Sequence, residues 1–326
     1  MTRAVDDAMA AERPEKQTVR ELWMDEVQRH EGEQPPDDVP LYLTLPGARG
    51  GDIEALIDRG VVRLTGTGAI EDPEAMKVVA IEHSPSAVIA LQRRYPGLKI
   101  VEKSVSDMLH STGPLQWPTG SHKTYCRAQV VNLDFDTPLK GVVEHGQLFF
   151  PSLALVQKLA TLHATPAPID WTLALTLHGE TVWDSDTDAL ACRFLAANFA
   201  RDAAFSGAAR EVLGSDLHQR ICDSPESVGL NGLDRASQQR VLMVLVPKQI
   251  AFNAHTIGWN IDTVENLCYG GTENHAPMVT WLLRFRWDSR ASTDPAALYR
   301  EALGRSLRRR GEIAADGALS RISDAA

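Results

Sequence analysis

The chain has 326 residues, of which 44% are hydrophobic, so it can bury the core of one large domain or of one and a half domains. Its formal net charge of −10 argues against a broad basic face for duplex DNA. Cys126, Cys192, Cys222 and Cys268 form no CxxC pair, so we expect reduced thiols rather than a zinc ribbon. No apolar run approaches the ~20 residues of a membrane span, and the N-terminus has no apolar signal core. We therefore predict a soluble, cytoplasmic protein without a membrane partner.

The N-terminal region is predicted to hold one amphipathic helix. Within residues 14–29 the apolar side chains of Val19, Leu22, Trp23 and Val27 fall on one helical face. The helix either packs on the following domain or forms a lid over a cofactor or substrate. Residues 31–38, which include two consecutive prolines, are typical of a linker.

A strand, a glycine turn and a helix follow one another between residues 39 and 60. The apolar run 39–45 breaks into the segment Pro46-Gly47-Ala48-Arg49-Gly50-Gly51, and a short helical pattern then ends at Gly60. We expect Asp52 to be the N-cap of this helix and Gly60 to be the left-handed residue after its end. This geometry lets backbone N–H groups approach a nucleotide or cofactor closely.

A second buried strand is predicted over residues 77–82 and ends in Glu82, whose carboxylate can accept both hydroxyls of a ribose. Ser84 and Pro85 then begin a helix that runs to about residue 94. A rival glycine turn at residues 65–68 lies nearer to Glu82, but too few residues separate the two for a crossover helix. We therefore interpret residues 61–76 as an insertion.

Three polar residues alternate along the strand predicted at residues 128–139. Asn132, Asp134 and Asp136 should share one face of this strand. Carboxylates near the C-terminal end of a parallel strand lie at the crevice where open α/β sheets bind ligands. Because like charges repel and burial is costly, a positive or hydrogen-bonding ligand, or a metal, is expected nearby. Alternatively, Asp136 caps the next helix.

The rest of the chain continues the alternation of strands and helices. The predicted elements are a helix at 149–163, a strand at 171–177, a helix at 189–213 broken near Gly207, a buried apolar stretch at 238–249, two extended runs at 261–269 and 277–287, and a helix at 295–310. The last helix ends in four arginines. Their positive charges either only interact favourably with the helix dipole, or they contact a phosphate or an acidic partner.

These stretches together resemble the class I S-adenosylmethionine-dependent methyltransferases over about residues 39–288. Residues 43–51 stand where that family has its glycine-rich first motif, and residues 79–82 stand where it has the ribose-binding acid. Residues 132–135 look like the acid-bearing turn of amino-methylating enzymes such as the guanine-N2 tRNA methyltransferases. The resemblance implies a Rossmann-like, doubly wound α/β fold with a mostly parallel, seven-stranded sheet and an antiparallel last strand. An N-terminal tail and helix (1–38) and a C-terminal helical appendage (289–326) flank this domain.

The resemblance also implies a set of site residues. The methionine part of S-adenosylmethionine would lie at Gly47, Ala48, Gly50 and Gly51. The ribose would lie at Glu82 and His83, and the adenine at Ser104, Val105, Ser106 and Asp107. The catalytic residues would be Asn132, Asp134 and Asp136.

The methyl acceptor is expected to be a nucleobase in RNA or DNA, or alternatively a small molecule. A third hypothesis is a non-catalytic, methyltransferase-like partner subunit in a complex with another protein. The sequence contains no GxSxG elbow, no phosphate-binding P-loop, no HExxH and no clustered metal-ligand spacing.

Overall fold

The chain folds as an α/β protein with two compact units. The computed structural model describes residues 13–33, 39–103, 127–271 and 276–322. The first unit comprises Met1–Asp134 and Trp171–Ala174, and the second comprises Phe135–Asp170 and Leu175–Ala326. The α/β class predicted from the sequence is confirmed.

The first unit is built on short parallel strands connected by helices. Its elements are α1 (Pro14–Gly32), β1 (Tyr42–Thr44), α2 (Gly51–Asp58), α3 (Asp72–Ala75), β2 (Val78–Ile81), α4 (Pro85–Arg94), β3 (Lys99–Val101) and the beginning of β4 (Val130–Leu139). The strands β1–β2, β1–β4 and β2–β3 pair in parallel. Every residue of β1 and β2 is buried, which is why both strands read as continuous apolar runs.

The helix α1 is packed on its unit through the face predicted from its sequence. Val19, Trp23, Met24 and Val27 are all buried. These side chains form part of the core, so the helix packs on the first unit, and the lid over a cofactor or substrate stays a prediction.

The glycine turn before α2 is confirmed in outline but differs at its cap. Gly50, with a φ of 62°, occupies the N-cap position, and Asp52 lies inside the first turn of the helix. The prediction that Asp52 is the N-cap is therefore wrong, and its carboxylate is used elsewhere. At the other end, Gly60 has a φ of 72°. The amide of Val61 donates to Leu56 O at 2.9 Å, which is the Schellman pattern expected for that position.

The second unit combines helices with long antiparallel strands. Its elements are the end of β4, β5 (Val142–Glu144), β6 (Gln147–Phe149), α5 (Pro151–His163), β7 (Trp171–Thr181, of which the first four residues belong to the first unit), α6 (Ser185–Arg201), α7 (Ala203–Leu213), α8 (Ser215–Asp223), α9 (Arg235–His255), β8 (Trp259–Tyr269), β9 (Met278–Trp287), α10 (Pro295–Arg305), β10 (Arg310–Ile313) and β11 (Leu319–Arg321). The two extended runs predicted near the C-terminus are confirmed as the antiparallel pair β8–β9. The buried apolar stretch at 238–249 lies within α9.

Among the described residues, the larger sheet has nine strands in the order β11-β10-β8-β9-β7-β4-β1-β2-β3, whereas seven were expected, and β5 and β6 form a separate pair. The two additional strands are β10 and β11, which lie in the segment 289–326 that was predicted as a helical appendage. That helix ends at Arg305, and β10 then pairs in parallel with β8. A Cβ atom on Gly311 would lie only 2.7 Å from Ser320 O, so glycine permits this close approach of β11. The extension of the helix to residue 310 is therefore wrong.

The helical region before α8 is interrupted at a different residue from the one predicted. The break falls at Asp202, whose side chain accepts a hydrogen bond of 2.8 Å from the amide of Phe205 and caps α7. Gly207, where the break was expected, lies inside α7. None of the helices in the described ranges is long and apolar enough to cross a membrane.

Candidate functional site

The carboxylate of Asp52 in the first unit is only 6% exposed and has several hydrogen-bond partners. Its Oδ1 accepts a hydrogen bond of 3.0 Å from Arg20 Nε. Its Oδ2 accepts hydrogen bonds from Tyr42 OH at 3.1 Å, from Thr44 Oγ1 at 2.7 Å and from Asn132 Nδ2 at 2.6 Å. This buried cluster, which we call the Asp52 cluster, joins the helices α1 and α2 to the strands β1 and β4.

The strand register explains why these side chains meet. Leu43 of β1 is paired with Val131 of β4, so Thr44 and Asn132 are the next residues towards the carboxyl ends of the two parallel strands. The first turn of α2 returns over this end and supplies Asp52. Strand order reverses between β1 and β4, with β2 and β3 on the far side of β1. Such a reversal point is where open α/β sheets form a ligand crevice.

The charges in the Asp52 cluster are balanced. Burial raises the pKa of the Tyr42 hydroxyl well above its usual value, and the nearby Asp52 charge raises it further. Tyr42 therefore remains protonated and donates to the carboxylate. Arg20 supplies the positive charge that a buried carboxylate requires.

Asn132 carries an unused hydrogen-bond acceptor. The residue is fully buried, and its Nδ2 donates to Asp52. Its Oδ1 has no hydrogen-bond partner among the residues that the structure describes. An unsatisfied buried acceptor costs roughly 1–3 kcal/mol, so a donor from a ligand would be stabilised here.

Asp134 lies two residues beyond Asn132 on β4 and is half-buried. Lys16 Nζ of α1 lies 3.4 Å from its Oδ2. Burial raises the pKa of the Asp134 carboxyl, Lys16 opposes that shift, and the charge of Asp52 adds to it. A carboxylate with a raised pKa accepts a proton more readily than an ordinary one.

Asp136 is on β4 as well, although its side chain lies outside the described residues. Because β4 continues to Leu139 and α5 begins only at Pro151, Asp136 does not cap the next helix. The capping alternative for Asp136 is therefore wrong, and its place in the site stays a prediction.

Glu82 follows directly after β2 and is almost completely buried. Its Oε1 accepts a hydrogen bond of 2.8 Å from the amide of Ser84, which fixes the turn into α4. Thr44 of β1 is paired with Ala80 of β2, so Glu82 lies on the same carboxyl edge as the Asp52 cluster. His83 is exposed, with its Nδ1 3.5 Å from Glu82 Oε1.

The three glycines of the turn have different surroundings. A Cβ atom on Gly47, whose φ is +56°, would meet no atom within 4 Å. On Gly50 it would lie 2.7 Å from Tyr95 Cε2, and on Gly51 it would lie 2.8 Å from Arg20 Nη2. Gly50 is therefore required for packing within the chain, whereas the space beside Gly47 is open to a ligand. Ala48 lies between them in the same turn.

Several parts of the site were missed from the sequence or cannot be placed. The four residues expected at the adenine, Ser104, Val105, Ser106 and Asp107, lie outside the described residues. The sequence alone does not indicate that Arg20, Lys16, Tyr42 and Thr44 lie at the site. Tyr42 and Thr44 alternate on β1, so both hydroxyls lie on one side of the strand. This alternation is the sequence signal that could have indicated the role of these two residues.

No protein-family model matches the chain, and no curated protein matches its sequence.

Proposed function

We propose that the chain binds S-adenosylmethionine at the carboxyl edge of β1, β2 and β4 and acts as a methyltransferase. The observation that carries this proposal is the combination of the Asp52 cluster with Glu82 on the neighbouring strand. The two lie on one edge of a parallel sheet, at the point where strand order reverses.

The residues present fit the chemistry of this cofactor. Its ammonium group needs a buried acceptor, which Asn132 Oδ1 supplies. Its carboxylate suits the guanidinium of Arg20. Its ribose hydroxyls need an acceptor of the kind that Glu82 provides, and the space beside Gly47 allows a close approach to the backbone.

The chain's own contribution would be alignment and proton acceptance. When bound, the sulfonium of the cofactor supplies a methyl group that is already activated. The protein therefore has to orient the acceptor and exclude water. Asp134 would accept a hydrogen bond or a proton from the acceptor, which its raised pKa favours. Asn132 would position the cofactor end of the crevice.

A nucleobase with an exocyclic amino group is our proposed acceptor, and Asp134 is the residue that supports it. The C-terminal arginines add little support. Arg310 is buried and binds Glu211 Oε2 at 2.7 Å, and Arg309 lies 3.2 Å from Glu265 Oε1. These two guanidinium groups already have carboxylate partners within the protein, so a small-molecule acceptor is the alternative.

Calorimetry tests the cofactor proposal directly. We expect S-adenosylmethionine or its demethylated product to bind in the micromolar range. Glu82→Ala should weaken binding about 10- to 100-fold, because a hydrogen bond to a charged group contributes about 1.5–3 kcal/mol. Glu54→Ala, which removes an exposed carboxylate outside the proposed site, is the control and should bind nearly as well as the native protein. An absence of heat with folded protein would refute the proposal, and a strong response to NAD would indicate a dehydrogenase.

A binding role without turnover is the second candidate, and the ion pair between Lys16 and Asp134 favours it. A carboxylate that is paired with an ammonium group is a poorer base than an unpaired one. The ion pair also connects α1 directly to the proposed acceptor position. The protein is incubated with labelled cofactor and with RNA, DNA or a pool of small molecules. Transfer of the label to one of these pools distinguishes a methyltransferase from a binding subunit. Binding of the cofactor without labelled product from any of these pools would favour the partner-subunit role.

A further inference from the structure

One face of α8 in the second unit carries a histidine and a cysteine one helical turn apart. His218 and Cys222 are four residues apart, so their side chains are neighbours on the helix surface. The distance from His218 Nδ1 to Cys222 Sγ is 3.8 Å. Cys222 is exposed, whereas Cys192 and Cys268 are buried.

The imidazole of His218 is held in a fixed orientation by two contacts from other helices. Its Nε2 lies 3.0 Å from Ser206 Oγ of α7. Its ring stacks on Phe199 of α6 with a centroid distance of 4.7 Å. If Nε2 donates its proton to Ser206, the lone pair of Nδ1 is directed to the side of the ring where Cys222 lies. A hydrogen bond at the far nitrogen of this kind accompanies most metal-binding histidines.

The distance between the two atoms suits a shared metal ion. A zinc–sulfur bond is about 2.3 Å and a zinc–nitrogen bond is about 2.0–2.1 Å, so tetrahedral ligands of these two types are about 3.6 Å apart. Binding would require the observed pair to approach by only a few tenths of an ångström. Rotation of the Cys222 side chain can supply this movement.

We propose that His218 Nδ1 and Cys222 Sγ form an open binding site for a thiophilic metal ion such as Zn²⁺. The thiol releases its proton to solvent when the metal–sulfur bond forms, and water completes the coordination. No group of three or more potential metal ligands occurs in the described part of the chain. The site therefore has two protein ligands and exchanges its metal readily. This proposal is independent of the proposed methyltransferase activity.

Cobalt(II) is the probe, because it takes the place of Zn²⁺ and gives a thiolate-to-metal charge-transfer band. The full-length, reduced protein should show this band on titration, and Zn²⁺ should displace it. Cys222→Ser should abolish the band. His218→Gln and Ser206→Ala should each weaken binding at least tenfold, the second because it loosens the ring while keeping both ligands. Cys126→Ser is the control for a second thiol and should leave the titration unchanged.

The alternative is that Cys222 only donates a weak hydrogen bond to His218. In that case Cys222→Ser would keep any cobalt signal, or His218→Gln and Ser206→Ala would bind cobalt as tightly as the native protein, and either result would overturn the proposal. Circular dichroism establishes that each variant is folded. If His218→Gln does not fold, Ser206→Ala decides alone.

Discussion

At the scale of single residues, the Asp52 carboxylate connects polar side chains from two helices and two strands of the first unit. Four side chains donate to it, and three of them, Tyr42, Thr44 and Asn132, share its Oδ2. A local sequence rule identifies Asp52 as a helix cap. Its contact with Asn132 spans 80 positions in the sequence, so no local pattern could reveal it. The hydroxyls of β1 and the amide of β4 acquire their role only when the strands are adjacent.

Removing this carboxylate should destabilise the fold strongly. Asp52→Ala removes the buried carboxylate that accepts hydrogen bonds from Arg20 and from three further side chains, so we expect a loss of about 3–5 kcal/mol in the free energy of unfolding. Urea denaturation measures this loss. Glu54→Ala on the same helix is the control, because its 2.9 Å ion pair with Arg94 is exposed and should contribute less than about 1 kcal/mol. Equal effects of the two changes would contradict the assignment of Asp52 as the central group.

Asp134→Asn should separate turnover from binding. The change preserves shape and removes the proposed proton acceptor, so we expect turnover to fall roughly 10²–10⁴-fold while cofactor affinity stays within a factor of a few. In the native protein, turnover should rise with pH through the raised pKa of Asp134. Kinetics and calorimetry on the same preparations provide both measurements. An unchanged rate would remove Asp134 from the reaction.

The raised pKa of Asp134 also predicts how the stability of the Asp134→Asn variant depends on pH. Because the folded pKa of Asp134 is raised, the neutral form favours the folded state. That contribution is complete below the unfolded pKa of about 3.9 and is lost as pH rises through the folded pKa. Asp134→Asn should therefore match the native protein in acid and become relatively more stable towards neutral pH. Thermal melts across this range measure the difference, and a constant offset would contradict the raised pKa.

At the scale of elements, the strand–turn–helix unit β1–α2 could be predicted from the sequence because each boundary has its own local cause. Gly60 ends α2 in the left-handed conformation, and the apolar run before the turn is buried on both faces. The helix break at Asp202 could not be predicted in the same way. Aspartate and glycine are both plausible interruptions, and which of them acts depends on how α6 and α7 pack.

Substitutions of the turn glycines distinguish a glycine that leaves room for the ligand from one that is needed for packing. Gly47→Val adds a side chain where no protein atom lies within 4 Å, so it should abolish cofactor binding and cost only the strain of its positive φ, roughly 1–2 kcal/mol. Gly50→Val should lower the melting temperature far more, because its side chain meets Tyr95 and Leu91. Gly66→Val, which also meets no neighbouring atom, is the control. If Gly66→Val abolishes binding and Gly47→Val does not, the cofactor turn has been assigned to the wrong segment.

At the scale of the whole molecule, the alternation of strands and helices identified the α/β class, and the number of strands exceeded the prediction. The elements that were predicted are long or strongly apolar, as in β8 and β9. The strands that were missed are short: β10 has four residues, and β11, β5 and β6 have three each. Such short strands form because a neighbouring edge supplies the hydrogen bonds, so their own sequences carry little signal. Arg310 belongs to β10, although its sequence neighbourhood reads as the end of a basic helix.

The position of β10 beside β8 has a consequence for handling the protein. One side of β8, an eleven-residue strand, is paired with β9, and β10 pairs with the other side over residues 266–269. A shortened variant that ends after α10 would leave that stretch of backbone without a partner. Long uncovered strand edges recruit other chains, so such a variant would be prone to precipitation during purification. Affinity tags are therefore better attached after residue 322 than in place of the final strands.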